Sequence, residues 1–546
     1  MQFGVDRRCS NRFSSSIQIL KSSKIHPLLL FKMLLLSRLS QLKSTRHYFS
    51  SYILVNFIVG LPFVAYGTYV IFQLQQIGFV IGHGVDEPTC MTSCIVPFGS
   101  SELDMNAVIL YLNAMGFAFG GFIMIFVAAL ADYWKQKSLL MVITIFLYAA
   151  ISIPVAWLDK LTKPTFDAFS GLYVLFSVIT LALMALLNIY IPFCMKLEPD
   201  VAKEMGSFSV SDETERRHKI GTKMSVFGPI LSWSASILVL IIGIILSKTL
   251  ELERQQSAGL IMTTVAGFVT LIGSAVAYFG LPTLVARDLP VGKSWWSIAF
   301  SSVFGLVKDL WKNKTAALLL VGYTAYTDTT FAQSTVLSQL FILTVKPDIV
   351  EFSLYSLSFN AMCIIFSLIW FWIRPRINIR LRSWMIFGYL VNLIPALWGS
   401  IGISENVGIG FKSRWEFYVA LLFTTVANSI VNPVFRVVFS EVIPPKREVQ
   451  WFGMQLIISC ATTWVPYVVL APFQQATNNL RYPLLMCFVF FSVPLAIEIW
   501  HLVAGSKGPT NDTDSSNDGS EKDDVVNNES KGRSETVVLE KASSGV

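Results

Sequence analysis

The chain has 546 residues, of which 53% are hydrophobic, 13% aromatic and 14% charged, with a formal net charge of +7. Soluble domains carry about 25% charged residues, so a water-soluble multidomain protein is excluded, and apolar runs that do not alternate with polar residues exclude a membrane β-barrel. The basic residues are spread over connecting segments and not gathered on one domain, which argues against nucleic-acid binding, and seven cysteines without a CxxC pair or a Cys/His quartet carry no metal signature.

Residues 1–50 hold Arg7, Arg8, Arg12, Lys21, Lys24, Lys32, Arg38, Lys43 and Arg46 against a single acid, Asp6. They read as a basic cytosolic tail rather than a transit peptide. Twelve apolar stretches of about 20 residues, the length of a bilayer-crossing helix, follow. They begin near Tyr52, Asn106, Leu139, Gly171, Met224, Gly259, Thr315, Phe352, Trp384, Phe417, Phe452 and Tyr482. Most of the 42 Lys and Arg fall on the tails and the even-numbered loops, so both termini are expected to be cytosolic.

The first loop, "HGVDEPTCMTSCIVPFG", contains no Lys or Arg and is expected to face away from the cytosol. Cys90 and Cys94 in it are a candidate disulfide; with His83 they supply too few ligands for zinc. The second loop, "AALADYWKQKSLLM", places Ala128, Asp132, Lys135 and Lys137 where an acid at a helix end can pair with bases one turn later and hold a cytosolic gate. Its counterpart in the second half, "IRPRINIRLRS", has bases but no acid. Residues 196–223, "KLEPDVAKEMGSFSVSDETERRHKIGTK", read as a charged loop between spans four and five. The segment 282–314, with spaced Trp295, Trp296, Phe300, Phe304 and Trp311 beside lysines, reads as an amphipathic interfacial helix. It separates a six-helix half at 51–281 from a second at 315–503. Residues 504–546 are too polar to build a core and read as a disordered cytosolic tail.

Span seven contains "AYTDTTFAQ", which buries Asp328 in an apolar helix at a cost of roughly 2.5–3.5 kcal/mol on insertion scales. Either the carboxylate binds the ammonium of a zwitterionic substrate or it carries a proton that couples transport to a pH gradient. Asn428 and Asn432 lie one helical turn apart on span ten, and with Gln333 they are expected to extend the polar lining. Glu441, Arg447 and Glu448 are candidates for a second-half gate. No GxSxG, HExxH or P-loop suggests an enzyme or an ATP-driven pump, and no cofactor is expected.

Six plus six helices around a long central loop is the plan of the major facilitator superfamily. Several segments further resemble the autophagy-related fungal vacuolar effluxers within it: "PFVAYGTYVIFQLQQIG", "CIVPFG", "ALADYWKQK", "NIYIP", "AYTDTTFAQ" and "FSEVIPPKREVQWFG". At Ser225, Lys446 and "TTWVP" (Thr462 to Pro466) the sequence departs from that pattern, as a divergent member would. The resemblance implies an all-α carrier of twelve transmembrane helices in the vacuole membrane. It further implies export of small neutral amino acids to the cytosol after autophagic breakdown; protons, as a second candidate ligand, come from the reading of Asp328. A same-fold carrier of a sugar, peptide or drug, and a non-transporting scaffold or receptor, are the alternatives.

Overall fold

The computed structural model describes residues 48–84, 90, 94–133, 137–203, 210–250, 257–281, 305, 308, 310–377, 379–443 and 448–506. The chain divides into two compact units, residues 1–500 and 501–546, and the helical spans lie in the first.

Span one is α1 (Tyr48–Ala65), a π-helical turn (Tyr66–Val70) and α2 (Ile71–Ile81). A two-stranded antiparallel hairpin follows, β1 (Ile95–Phe98) and β2 (Ser101–Asp104), turned by Gly99 at φ 62°. The first half continues with α3 (Met105–Tyr133), α4 (Lys137–Ser152), α5 (Lys163–Lys203), α6 (Val210–Thr249) and α7 (Ser257–Gly280). The second half contains α8 (Lys314–Val345), α9 (Ile349–Ile373), α10 (Leu381–Ile401) and α11 (Arg414–Val442). Span eleven is broken into α12 (Glu448–Thr462) and α13 (Trp464–Thr477), and α14 (Arg481–Ser506) is the twelfth.

Eleven described spans are long and apolar enough to cross a membrane. The remaining long helix, α8, has 32 residues but carries Thr, Ser, Gln and Asp328 through its middle, which leaves no window of sufficient hydropathy. A helix so polar survives in hydrocarbon only with its polar face turned inward, and Thr324, Asp328, Thr329, Gln333 and Gln339 are all buried. The charged stretch at 196–223, expected as a loop, is helical at both ends: α5 runs to Lys203 and α6 begins at Val210, because backbone hydrogen bonding can continue past the bilayer into water. The tails, and most of the central segment expected as an amphipathic helix, lie outside the described residues.

Local chemistry fixes the joints. Asp348 caps α9 by accepting from Glu351 N at 2.7 Å, directly after Lys346 closes α8 in the left-handed region, so α8 and α9 reverse in a few residues. Glu416 anchors the α10–α11 loop. It accepts from the N–H groups of Gly410, Phe411, Lys412 and Ser413 and from Trp398 Nε1, all within 3.0 Å. One apolar cluster fills the second half and takes in Leu61, Tyr69, Phe72 and Leu110 of the first; another fills the remainder of the first half around Tyr66, Tyr148 and Phe176.

Candidate transport site

Asp328 sits on α8, 3% exposed, and its carboxylate meets the break in span eleven. Thr462 Oγ1 donates to Oδ2 at 2.6 Å and Thr463 Oγ1 donates to Oδ1 at 2.7 Å. The break arises locally. Pro466 lacks an N–H and its ring crowds the carbonyl four residues earlier, that of Thr462, so the helix cannot run regularly through this point.

Each threonine hydroxyl has a second acceptor. Thr462 Oγ1 lies 3.0 Å from Ile458 O and Thr463 Oγ1 lies 2.6 Å from Ser459 O. A hydroxyl has one proton to give. With Asp328 ionised, both protons go to the carboxylate; with Asp328 protonated, the acid donates to one threonine, which passes its own proton to the backbone carbonyl. The same heavy atoms therefore serve both charge states.

The four residues expected to form one lining do not share a face. Tyr326 donates to Asn428 Oδ1 at 3.1 Å and Tyr323 to Asn432 Oδ1 at 3.0 Å, so the asparagine pair tethers α11 to α8 through tyrosines. Tyr326 and Asp328 are two positions apart, about 200° around a helix, which puts the asparagines across α8 from the carboxylate. Gln333 is fully buried, and its amide has no hydrogen-bond partner among the described residues. It lies five positions and about 140° from Asp328.

Asp328 lies close to the junction of the two halves. Phe117 of α3 packs on Phe331 of α8 and stacks on Tyr467 of α13 with ring centroids 5.5 Å apart, and Thr335 and Tyr467 hydroxyls are 3.0 Å apart. Next to this, a Cβ on Gly121 of α3 would stand 2.5 Å from Cys460 O of α12. Only glycine permits that approach.

Of the gate residues, Asp132 lies at the end of α3, Lys137 opens α4, Glu441 is near the end of α11 and Glu448 opens α12. Their side chains, and all of Lys135 and Arg447, lie outside the described residues. Cys90 and Cys94 are joined by a disulfide that precedes β1.

The family described as "Vacuole effluxer Atg22 like" matches residues 33–511. The chain belongs to this family. It is 25% identical over 481 residues to Autophagy-related protein 22 of Candida albicans, covering 86% of this chain and 91% of that protein. To the Saccharomyces cerevisiae protein of the same name it is 20% identical over 479 residues, covering 80% and 88%. Solved structures of major facilitator transporters share its fold. The human organic anion transporter MFSD10 superposes with a TM-score of 0.53 at 11% identity, covering 83% of this chain and 99% of that one. The Escherichia coli xylose transporter XylE, partially occluded and inward open, gives 0.53 at 13% identity, covering 84% and 99%. This member of the vacuole effluxer family is thus a membrane transporter with the twelve-helix, two-half fold.

Several contacts the sequence did not reveal close the bundle at the hairpin end of this vacuole effluxer. Asp104, 1% exposed, caps α3 by accepting at Oδ1 from Asn106 N (3.0 Å) and Ala107 N (3.1 Å), and from Gln474 Nε2 of α13 (3.1 Å). Its own N–H donates to Gln475 Oε1 at 2.8 Å. Burial pushes its carboxyl up from the ordinary range, against the pull of these hydrogen bonds. Deeper in the bundle, Thr68 in the π-helical turn donates to Ser356 of α9 at 3.1 Å, and Phe72 stacks on Phe352. Tyr66, two positions from Thr68 and so on the opposite side of the helix, stacks on Phe176 of α5. An Asp directly before an apolar run was a readable helix-cap signal. Its partners in α13, some 370 residues away, were not readable.

Proposed function

We propose that this protein carries small neutral amino acids from the vacuole lumen to the cytosol by alternating access, with the hairpin end of the bundle at the lumen and both termini in the cytosol. The observation that carries the reading is Asp328, a buried acid at the junction of the two halves, clamped by two hydroxyls that suit either charge state. An intramembrane acid without a structural ion pair is a functional group by default. A carboxylate there complements the ammonium of a zwitterion; a carboxylic acid there carries a proton through the cycle. Family membership and the fold shared with carriers of sugars and organic anions support transport, and the basic loops support the orientation. Glu441, Arg447 and Glu448, with Asp132, Lys135 and Lys137, are proposed as the cytosolic gate.

The test is uptake of a labelled amino-acid mixture into proteoliposomes, with and without an imposed pH gradient. Saturable uptake is expected from the natural chain. Asp328→Asn is expected to abolish it while the protein remains folded and membrane-inserted, and full activity in that variant would remove Asp328 from the mechanism. Uptake of sugars or peptides in place of amino acids would redirect the substrate assignment.

A further inference from the structure

We infer that Glu498 of α14 is a second proton-binding site, separate from Asp328 and nearer the face on which α8 begins. The inference deepens the transport reading above and rests on it for its role in the cycle, though not for the binding of the proton. Glu498 is 1% exposed, and neither carboxylate oxygen has a hydrogen-bond partner among the described residues. No ion pair involving Glu498 is present among the described residues.

An ionised carboxylate buried without a hydrogen bond or a contacting cation is uncompensated, whereas the carboxylic acid is uncharged. Loss of the proton therefore requires a rearrangement that brings water or a cation to the carboxyl. A bistable arrangement of this kind binds a proton in one state of the bundle and gives it up in another. On release the carboxyl O–H bond breaks and the proton forms an O–H bond with water; uptake is the reverse. The proton comes from and returns to water at the face where Arg382 opens α10.

The depth differs from that of Asp328. A Cβ on Gly322 would touch Ile497, the neighbour of Glu498, at 3.5 Å. Gly322 precedes Asp328 by six residues, about 9 Å along α8. Between the two levels lie aromatic rings: Tyr326 packs on Tyr389 at 4.7 Å between centroids and on Phe491 of α14 at 5.9 Å. Among the described residues, the titratable and charged groups around this space are Tyr323 and Tyr326 of α8, Tyr389 and Arg382 of α10, and Arg436 of α11. A carboxyl on the far side of these tyrosines can bind its proton without contacting a substrate held at Asp328.

Two measurements on the purified full chain test this. Infrared difference spectra across a pH titration, without substrate, should show a protonated-carboxyl band that is retained in Asp328→Asn and absent in Glu498→Gln; a band unchanged in Glu498→Gln overturns the proposal. In proteoliposomes, Glu498→Gln should lose the stimulation of uptake by a pH gradient yet keep gradient-free exchange of internal for external amino acid, and retained stimulation overturns its coupling role. If Glu498→Gln is not recovered folded, Glu498→Asp decides: it keeps a carboxyl on a stem one methylene shorter and should shift the midpoint of the band, and an unmoved midpoint overturns the site. Absence of all flux in the natural chain would count against the transport reading, while the infrared titration would still decide the proton site.

Discussion

At the scale of single residues, the question posed by a lone aspartate in an apolar helix is answered by two threonines from another helix. Removing one donor from a buried carboxylate costs about 1–3 kcal/mol, and more if the charge is left exposed to hydrocarbon. Thr463→Val should therefore cut uptake at least tenfold in the proteoliposome assay, whereas Thr463→Ser, which keeps the hydroxyl, should retain most of it. Equal activity in the valine and serine variants would show that the contact is not used. Asp328 itself was legible because an acid in an apolar span has few bland explanations. Its partners were not, because "TTWVP" reads locally as two β-branched residues before a proline break, and nothing in one sequence says which distant helix that break faces. The same limit applied to Asn428 and Asn432. Their shared face was correctly spaced, but the rotation of α8 presents Tyr323 and Tyr326 to it and turns the carboxylate away.

At the scale of helices, two features govern how the halves meet. One is the approach of α3 to α12 at Gly121, where an added methyl would collide with a backbone carbonyl at 2.5 Å rather than with a side chain free to turn. Overpacking of this kind typically costs 1–3 kcal/mol. Gly121→Ala should lower the unfolding midpoint of the detergent-solubilised protein and reduce uptake. An unchanged midpoint with normal uptake would mean that the halves separate here at no cost. The other is the polarity of α8. Its start was legible within one residue, yet its sequence is the least membrane-like of the spans, because the helix is surrounded by α10, α11, α12 and α13 and the greater part of its polar face never meets lipid. Hydropathy reports contact with lipid, and an inner helix escapes it.

At the scale of the whole molecule, twelve spans could be read because each needs a length of apolar chain that no other constraint imitates, although α5 and α6 begin at Lys163 and Val210, well before the expected Gly171 and Met224. The hairpin and the closure at its end could not. They depend on Asp104 and Gln475 meeting across the hairpin and α13, which no short-range signal announces. This closure has a pH dependence with a definite sign. Burial raises the Asp104 carboxyl in the closed form, while an Asp104 opened to water returns to its ordinary value. The closed form therefore binds the proton more tightly. Its stability is fully present below the ordinary value and declines as pH rises from there to the raised one. Hydrogen exchange at residues 104–107, corrected for intrinsic rates, should show protection that falls as pH is raised above the ordinary carboxylate range. Asp104→Asn should flatten that dependence. Protection independent of pH in the natural chain would contradict the coupling. If the hairpin end faces an acidic lumen, acidification favours its closure.

The break in span eleven links the two places. Thr463 grips Asp328 and is also the residue from which α13 starts, and Gln474, which holds Asp104, lies eleven residues further along the same helix, just past Pro472. That is a lever arm of about 16 Å. A swing of roughly 5° about Thr463 moves the tip by about 1.4 Å, enough to take a 3.1 Å hydrogen bond out of range. Whatever neutralises or engages the carboxylate in the middle of the bundle thereby tugs on the bolt at its end, and the door hears from the seat without any messenger between them.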